Sequence, residues 1–160
     1  MRRRQSDRAP ADPWSTALRL LARRDHGTAE LQRRLLAQGF PAEAVEQAIA
    51  RGIELGYLDD ARYVERLTRA LLTAGRAAGP RLVLELRRRG LPEDLIEAAL
   101  AETRSTGEEE TALRDLIARR FPAFNYAAAD SNARRRVVHF LQRRGFPLER
   151  ILNELKRTDS

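Results

Sequence analysis

Three times along this chain, two apolar residues four apart are followed, four residues further on, by a glycine, a large apolar residue and a proline. The instances are Leu31, Leu35 and Gly39-Phe40-Pro41; Leu82, Leu86 and Gly90-Leu91-Pro92; and Val137, Leu141 and Gly145-Phe146-Pro147. The glycines stand 51 and 55 residues apart (90 − 39 and 145 − 90), the mark of a tandem-repeat protein whose units stack to share a core. A glycine one residue past the last periodic position fits a left-handed helix cap, and the proline beyond it stops that helix while permitting a new first turn. Val45, Ile96 and Ile151 lie six residues after the glycines, and Ile49, Leu100 and Leu155 lie ten after them. Those offsets put each pair on one helical face, as a shared core requires.

The same punctuation lays out nine helices. Residues 1–13 carry Arg, Asp, Ser and prolines with almost no apolar residue, which reads as a disordered basic tail. Helical spacing begins at Trp14, Leu18 and Leu21, and a second helix opens near Thr28 and stops at Gly39. A third runs from Pro41 to Leu55. After Gly56-Tyr57-Leu58, Asp59 is the N-cap candidate of a fourth helix with its stripe on Ala61, Val64, Leu67 and Leu71. Pro80 suits the first position of a fifth, a sixth starts after Pro92, and Thr103 to Gly107 reads as a linker. A seventh lies on Leu113, Leu116 and Ile117, residues 123–130 form a loop, and the last two helices cover about Asn132 to Arg144 and Pro147 to Arg157. No stretch alternates with period two for long enough to make a strand. The expectation is an all-α protein of three tandem three-helix repeats, residues 14–58, 59–104 and 107–157, forming an elongated, curved rod. Units of about 50 residues are too small to bury a sufficient core alone, so each needs its neighbours.

Composition narrows the partners. The formal net charge is +7 and the isoelectric point is near 11.0, which favours nucleic acid or an acidic protein surface. Lys156 is the sole lysine, so the positions of the arginines carry more information than their number. Absence of cysteine excludes disulfides and thiolate metal sites and fits a reducing cytoplasm. Met1 to Arg4 are basic, but no apolar stretch of signal or membrane-spanning length follows; a cytoplasmic, soluble monomer is the expectation.

Glu30-Leu31, Arg34-Leu35, the run Gly56-Tyr57-Leu58-Asp59-Asp60-Ala61-Arg62-Tyr63, and Gly79 leading to Glu85-Leu86 and Arg89-Gly90-Leu91 together resemble the RecX family of recombination regulators. Phe140-Leu141 with Arg143-Arg144-Gly145-Phe146 looks like that family's C-terminal repeat. The resemblance runs from about residue 15 to 157. Two positions depart from it: Gly27 stands where the family usually has a serine, and Val64 where a small residue is frequent. A glycine can also occupy an N-cap, at a small expense in stability. The resemblance implies a protein that binds the RecA recombinase and its nucleoprotein filament and inhibits its strand-exchange, ATPase and coprotease activities, with effects on DNA repair and the SOS response.

The candidate contacts to RecA or to DNA phosphates are the arginine pairs Arg33-Arg34, Arg88-Arg89 and Arg143-Arg144, the triplet Arg134-Arg135-Arg136, and Arg119-Arg120. Cations in a last helical turn also meet the helix dipole favourably, whereas the triplet opens a helix, where positive charge is unfavourable and a partner is the better explanation. The helices after Gly39 and Gly90 carry Glu43, Glu46, Glu54, Glu93, Asp94, Glu97 and Glu102. Phosphate would repel these, so helix-turn-helix readout of base sequence is not expected. A general DNA-binding protein acting without RecA is the alternative. Asp59-Asp60 reads as helix capping rather than a metal or acid/base pair. His26 in a loop and His139 among apolar residues have no local partner for catalysis, and no phosphate-binding glycine loop or HExxH is present. Tyr57, Tyr63 and Tyr126 read as packing residues. No catalytic, cofactor or metal residue is expected.

Overall fold

The computed structural model describes residues 11–158. Nine α-helices account for the regular structure of those residues, with no strand among them. They are α1 (Pro13–Leu21), α2 (Thr28–Ala37), α3 (Ala42–Glu54), α4 (Asp60–Thr73), α5 (Gly79–Arg88), α6 (Glu93–Thr106), α7 (Glu108–Arg120), α8 (Ser131–Arg143) and α9 (Leu148–Arg157). The chain forms two compact units, Met1–Tyr63 and Val64–Ser160.

In the first unit α1, α2 and α3 pack pairwise. Their core is Ala17, Leu31, Leu35, Val45, Ile49 and Leu58, with Leu20, Leu21 and Phe40 at its rim. In the second unit α5 packs on α6, α6 on α7, α7 on α9 and α8 on α9. Leu82, Leu86, Ile96, Leu100, Leu113, Ile117, Val137, Leu141, Phe146, Ile151 and Leu155 are buried there. Of the apolar residues aligned through the three glycines, from Leu31 and Leu35 to Ile151 and Leu155, all are inside except Phe40, which is half-buried at the rim. Spacing that places residues on one helical face thus also identified which face is buried.

The three glycines are left-handed, with φ of +87° at Gly39, +69° at Gly90 and +99° at Gly145. After α5 and α8 the next amide reaches back a full turn, Leu91 N–H donating to Leu86 C=O at 3.4 Å and Phe146 N–H to Leu141 C=O at 3.3 Å. These are the longer bonds of a Schellman cap, and the large apolar residue after each glycine is drawn inward, leaving Leu91 and Phe146 buried.

Two local expectations are corrected. Thr103–Thr106 belong to α6, and Gly107 alone, at φ +72°, separates α6 from α7. The Thr103 hydroxyl donates to Leu100 C=O at 2.9 Å and the Thr106 hydroxyl to Glu102 C=O, so these polar side chains are satisfied on carbonyls of the helix itself and are accommodated within it. At the other end the helix starts before Trp14: Pro13 is in its first turn and the Asp12 carboxylate accepts from Ser15 N–H at 2.9 Å. The rest of the tail reading, residues 1–10, lies outside the described residues.

Asp59 is a capping residue, its carboxylate accepting from Arg62 N–H at 2.9 Å. Asp60 does something the sequence did not announce. Its carboxylate accepts from Thr28 N–H at 2.8 Å and from the Thr28 hydroxyl at 3.2 Å, so it caps α2, whose own N-cap, Gly27, has no side chain to do so. Tyr63 is buried as expected, but Tyr57 is 57% exposed and tilts against Trp14.

Candidate nucleic-acid and protein interface

The arginine pairs expected to act together occupy different environments. On α2, Arg34 stands 3.7 Å from Glu30, which Arg24 also engages, while Arg33 is exposed. Burial pushes the Glu30 carboxyl up, but the hydrogen bond and charge of Arg24, with His26 and Arg34 adding to it, hold it below the usual carboxylate range. At the end of α5, Arg88 pairs with Glu85 at 3.3 Å and Arg87 with Glu93. Arg89 is the half-buried C-cap, its amide donating to Leu86 C=O. Arg34 and Arg88 thus meet carboxylates of their own helices, and Arg87 meets one of the next.

Around α7 and α8 the pattern changes. Arg120, Arg135, Arg136 and Arg143 line one groove of about 690 Å³ together with Phe121, Phe124, Val137, His139 and Phe140, and no Asp or Glu lines it. Among the described residues none of Arg135, Arg136 and Arg143 makes a salt bridge. Arg119, Arg120, Arg144 and Phe140 line a neighbouring hollow of about 370 Å³. There Arg119 donates to Thr73 C=O at 3.1 Å and Arg144 to Gly75 C=O at 3.4 Å. Six of the expected contact residues are therefore gathered, and the pairs on α2 and α5 are not among them.

Arg134 is set apart from its two neighbours. Its guanidinium donates to Tyr126 C=O at 2.7 Å and Ala127 C=O at 2.8 Å, and lies 4.8 Å from the centre of the Tyr126 ring. It holds the 121–130 loop against the start of α8. A cation in that first turn is thus explained inside the protein, with the Asp130 carboxylate supplying the N-cap to Ala133 N–H at 2.8 Å. That amide bond, more than the nearby Arg136 and Arg134 charges, holds the Asp130 carboxyl below its ordinary range.

The aromatic floor is not among the candidate contacts that the sequence offers, which are all arginines. Phe121 meets Phe124 and Phe140 edge-on, at 6.5 and 5.3 Å between ring centres. Arg120 and Arg144 sit over the Phe140 ring at 5.8 and 4.9 Å, a geometry in which the ring's negative face attracts the cation. Phe121 and Phe124 between Arg120 and Arg134 were the available signal. The register of the repeated phrase supplies another. The residues just before its two apolar positions are Glu30 and Arg34 in α2, Arg81 and Glu85 in α5, and Arg136 and Phe140 in α8. The first two are ion pairs four apart, at 3.7 and 3.9 Å; in α8 the carboxylate is replaced by a groove-lining ring.

His26 is buried at 4% exposure, its Nδ1 3.0 Å from Arg24 C=O and its Nε2 without a hydrogen-bond partner. Burial pushes its imidazole below the usual value. It is a packed histidine of the first unit. His139 is exposed on the groove wall.

Fold and surface together define an all-α helical-repeat protein with a carboxylate-free cationic groove over aromatic rings. The family models described as the first and second three-helix domains of RecX match residues 14–51 and 59–100. A protein called Regulatory protein RecX from Trichlorobacter lovleyi is 47% identical over 137 residues, covering 86% of this chain and 89% of its own. The protein of that name from Syntrophotalea carbinolica is 39% identical over 135 residues, with 84% and 88% covered. The crystal structure of RecX from Lactobacillus salivarius superimposes with a TM-score of 0.72 at 19% identity, covering 92% of this chain and 94% of that one, which supports the fold. The chain belongs to the RecX family.

Proposed function

We propose that this protein binds the RecA recombinase and its nucleoprotein filament as a non-enzymatic, cytoplasmic, monomeric regulator, and restrains strand exchange, ATP hydrolysis and coprotease activity. DNA repair and the SOS response are the processes this would modulate. The observation that carries the reading is the match to RecX relatives named regulatory proteins over more than four fifths of the chain. A tandem arrangement of three three-helix repeats, the third being α7–α9, suits it physically: several modest contacts on successive protomers of a polymer multiply into high avidity. No helix of the described residues is long and apolar enough to cross a membrane.

The test is RecA-dependent strand exchange and DNA-stimulated ATP hydrolysis with increasing amounts of this protein, alongside binding to bare and RecA-coated single-stranded DNA across a salt series. Dose-dependent inhibition and preference for the coated strand are expected. Binding to bare DNA as tight as to filament, falling steeply with salt and leaving RecA unaffected, would replace the reading by non-specific DNA binding through phosphate contacts.

A further inference from the structure

We propose that the groove between the end of α7 and α8 seats an acidic polypeptide segment with a leucine or phenylalanine anchor, and that it does not seat nucleic acid. The identity of the protein offering the segment rests on the RecA reading above; the chemistry of the groove does not.

Three observations select this occupant. The sign of the charge comes first: Arg120, Arg135, Arg136 and Arg143 face the groove and no carboxylate lines it, so the ligand is anionic, and guanidinium forks match carboxylates bidentately.

The floor comes second. Phe121, Phe124, Val137 and Phe140 make it predominantly apolar, a surface that a phosphate backbone would leave uncovered. Base stacking does not supply the missing contact, because it needs an open ring face. Phe140 already has Arg120 and Arg144 over its ring and Phe121 perpendicular to it at 86°. Phe140 is thus engaged by the protein itself, and the apolar floor of Phe121, Phe124 and Val137 beside it suits an aliphatic or aromatic side chain.

Spacing comes third. Arg136 and Arg143 lie two turns apart on α8, about 10 Å along its axis. Carboxylates four residues apart in an extended segment stand on one face about 13 Å apart, within reach of two long guanidinium side chains, and the side chain midway between them lies on that same face, above the floor. The substitution of ring for carboxylate at Phe140, relative to Glu85 in α5, opens the site.

Fluorescence anisotropy tests this with a short labelled peptide in which Asp and Glu flank Leu and Phe, a companion with Asn and Gln in place of the acids, and a labelled oligo-dT. The acidic peptide is expected to bind saturably, and the amide peptide to bind at least about tenfold more weakly. Arg136→Glu and Arg143→Glu should each weaken the acidic peptide by about tenfold or more. Both residues are exposed, and unchanged helical circular dichroism and melting verify folding. Arg23→Glu, an exposed charge change on the first unit, should leave binding unchanged. Phe124→Ala should weaken it by a factor that persists at high salt, since the apolar contact is not screened. Equal binding of the amide peptide, indifference to Arg136→Glu and Arg143→Glu, or displacement of the peptide by oligo-dT at equal or lower concentration would each overturn the proposal. Strand-exchange assays on the same variants separate the two readings. Peptide binding without any effect of the protein on RecA leaves the groove chemistry standing and removes the proposed function. Full inhibition by variants that no longer bind peptide preserves the function and overturns the groove as the filament contact.

Discussion

Alanine at Gly145 should destabilise the protein far more than alanine at Gly39, although both glycines occupy the same place in the repeated phrase. At Gly39, φ is +87° and an added Cβ would meet nothing within 4 Å. The left-handed backbone costs an L-residue about 1–2 kcal/mol, and the stiffer unfolded chain returns about 0.4–1 kcal/mol, a net loss of about 1 kcal/mol. At Gly145, φ is +99° and a Cβ would lie 2.0 Å from Ala78 O, 2.9 Å from the Ala78 carbonyl carbon and 3.0 Å from Arg81 Cβ. Two of these atoms are backbone of the fully buried Ala78, whose amide donates to Arg144 C=O at 2.8 Å. Relief requires α5 and the α8–α9 turn to part. Overpacking adds about 1–3 kcal/mol, and weakening a buried amide bond a further 1–3 kcal/mol or so. The expected net loss is about 3–7 kcal/mol, or about 6–28 °C in melting temperature for a chain of this size, against about 2–4 °C for Gly39→Ala. Thermal and urea unfolding followed by circular dichroism measure both. Losses within about 0.5 kcal/mol of one another would refute the inference that the two turns differ in packing.

Asp60→Asn should lower stability by about 0.5–2 kcal/mol in urea unfolding, because it weakens the cap that Thr28 N–H receives, and α2 amides should show the largest rise in hydrogen exchange. Burial holds the His26 pKa below its ordinary 6.5, so the unfolded chain takes up the proton first. Its contribution to stability is complete above about pH 6.5 and declines as pH falls from there toward the lowered folded value. His26→Gln should flatten that part of a melting-temperature profile, and an unchanged profile would remove the assignment. Arg134→Ala should destabilise the 121–130 loop by about 1–2 kcal/mol through loss of two hydrogen bonds and the Tyr126 contact. It should affect filament binding less than Arg135→Ala or Arg136→Ala, which separates support of the site from contact by the site.

What could be read from the chain was what is periodic and local. Leu31 and Leu35, Leu82 and Leu86, Val137 and Leu141 sit at spacings that only a helix brings to one face, and the glycines demand a backbone other residues avoid; both features fix core and turns without reference to distant residues. Thr103–Thr106 failed for a local reason too: hydroxyls that favour loops here bond to carbonyls of their own helix. The non-local contacts were not legible. Asp60 caps a helix whose first residue lies 32 positions earlier, and no rule of spacing announces that. Arg134 was grouped with Arg135 and Arg136 because three adjacent cations look alike in sequence. Their separation depends on where the Tyr126 and Ala127 carbonyls turn.

The repeated phrase conserves backbone and core while leaving the solvent side free to change. In α2 and α5 the two positions preceding the apolar pair hold opposite charges, Glu30 with Arg34 and Arg81 with Glu85. Such pairs contribute a few tenths of a kcal/mol to a helix and leave little net charge outside. In α8 the same positions hold Arg136 and Phe140, so the helix gives up that local stabilisation and gains an exposed cation beside a ring. Its N-terminal end is also cationic against the dipole, relieved by Asp130 as N-cap and by the loop carbonyls on Arg134. α8 thus forgoes the ion pair its counterparts have while keeping a fully buried Leu141 and the same glycine cap. That asymmetry between helices of one pattern, more than the number of arginines, which is high throughout the chain, is what the proposed groove rests on.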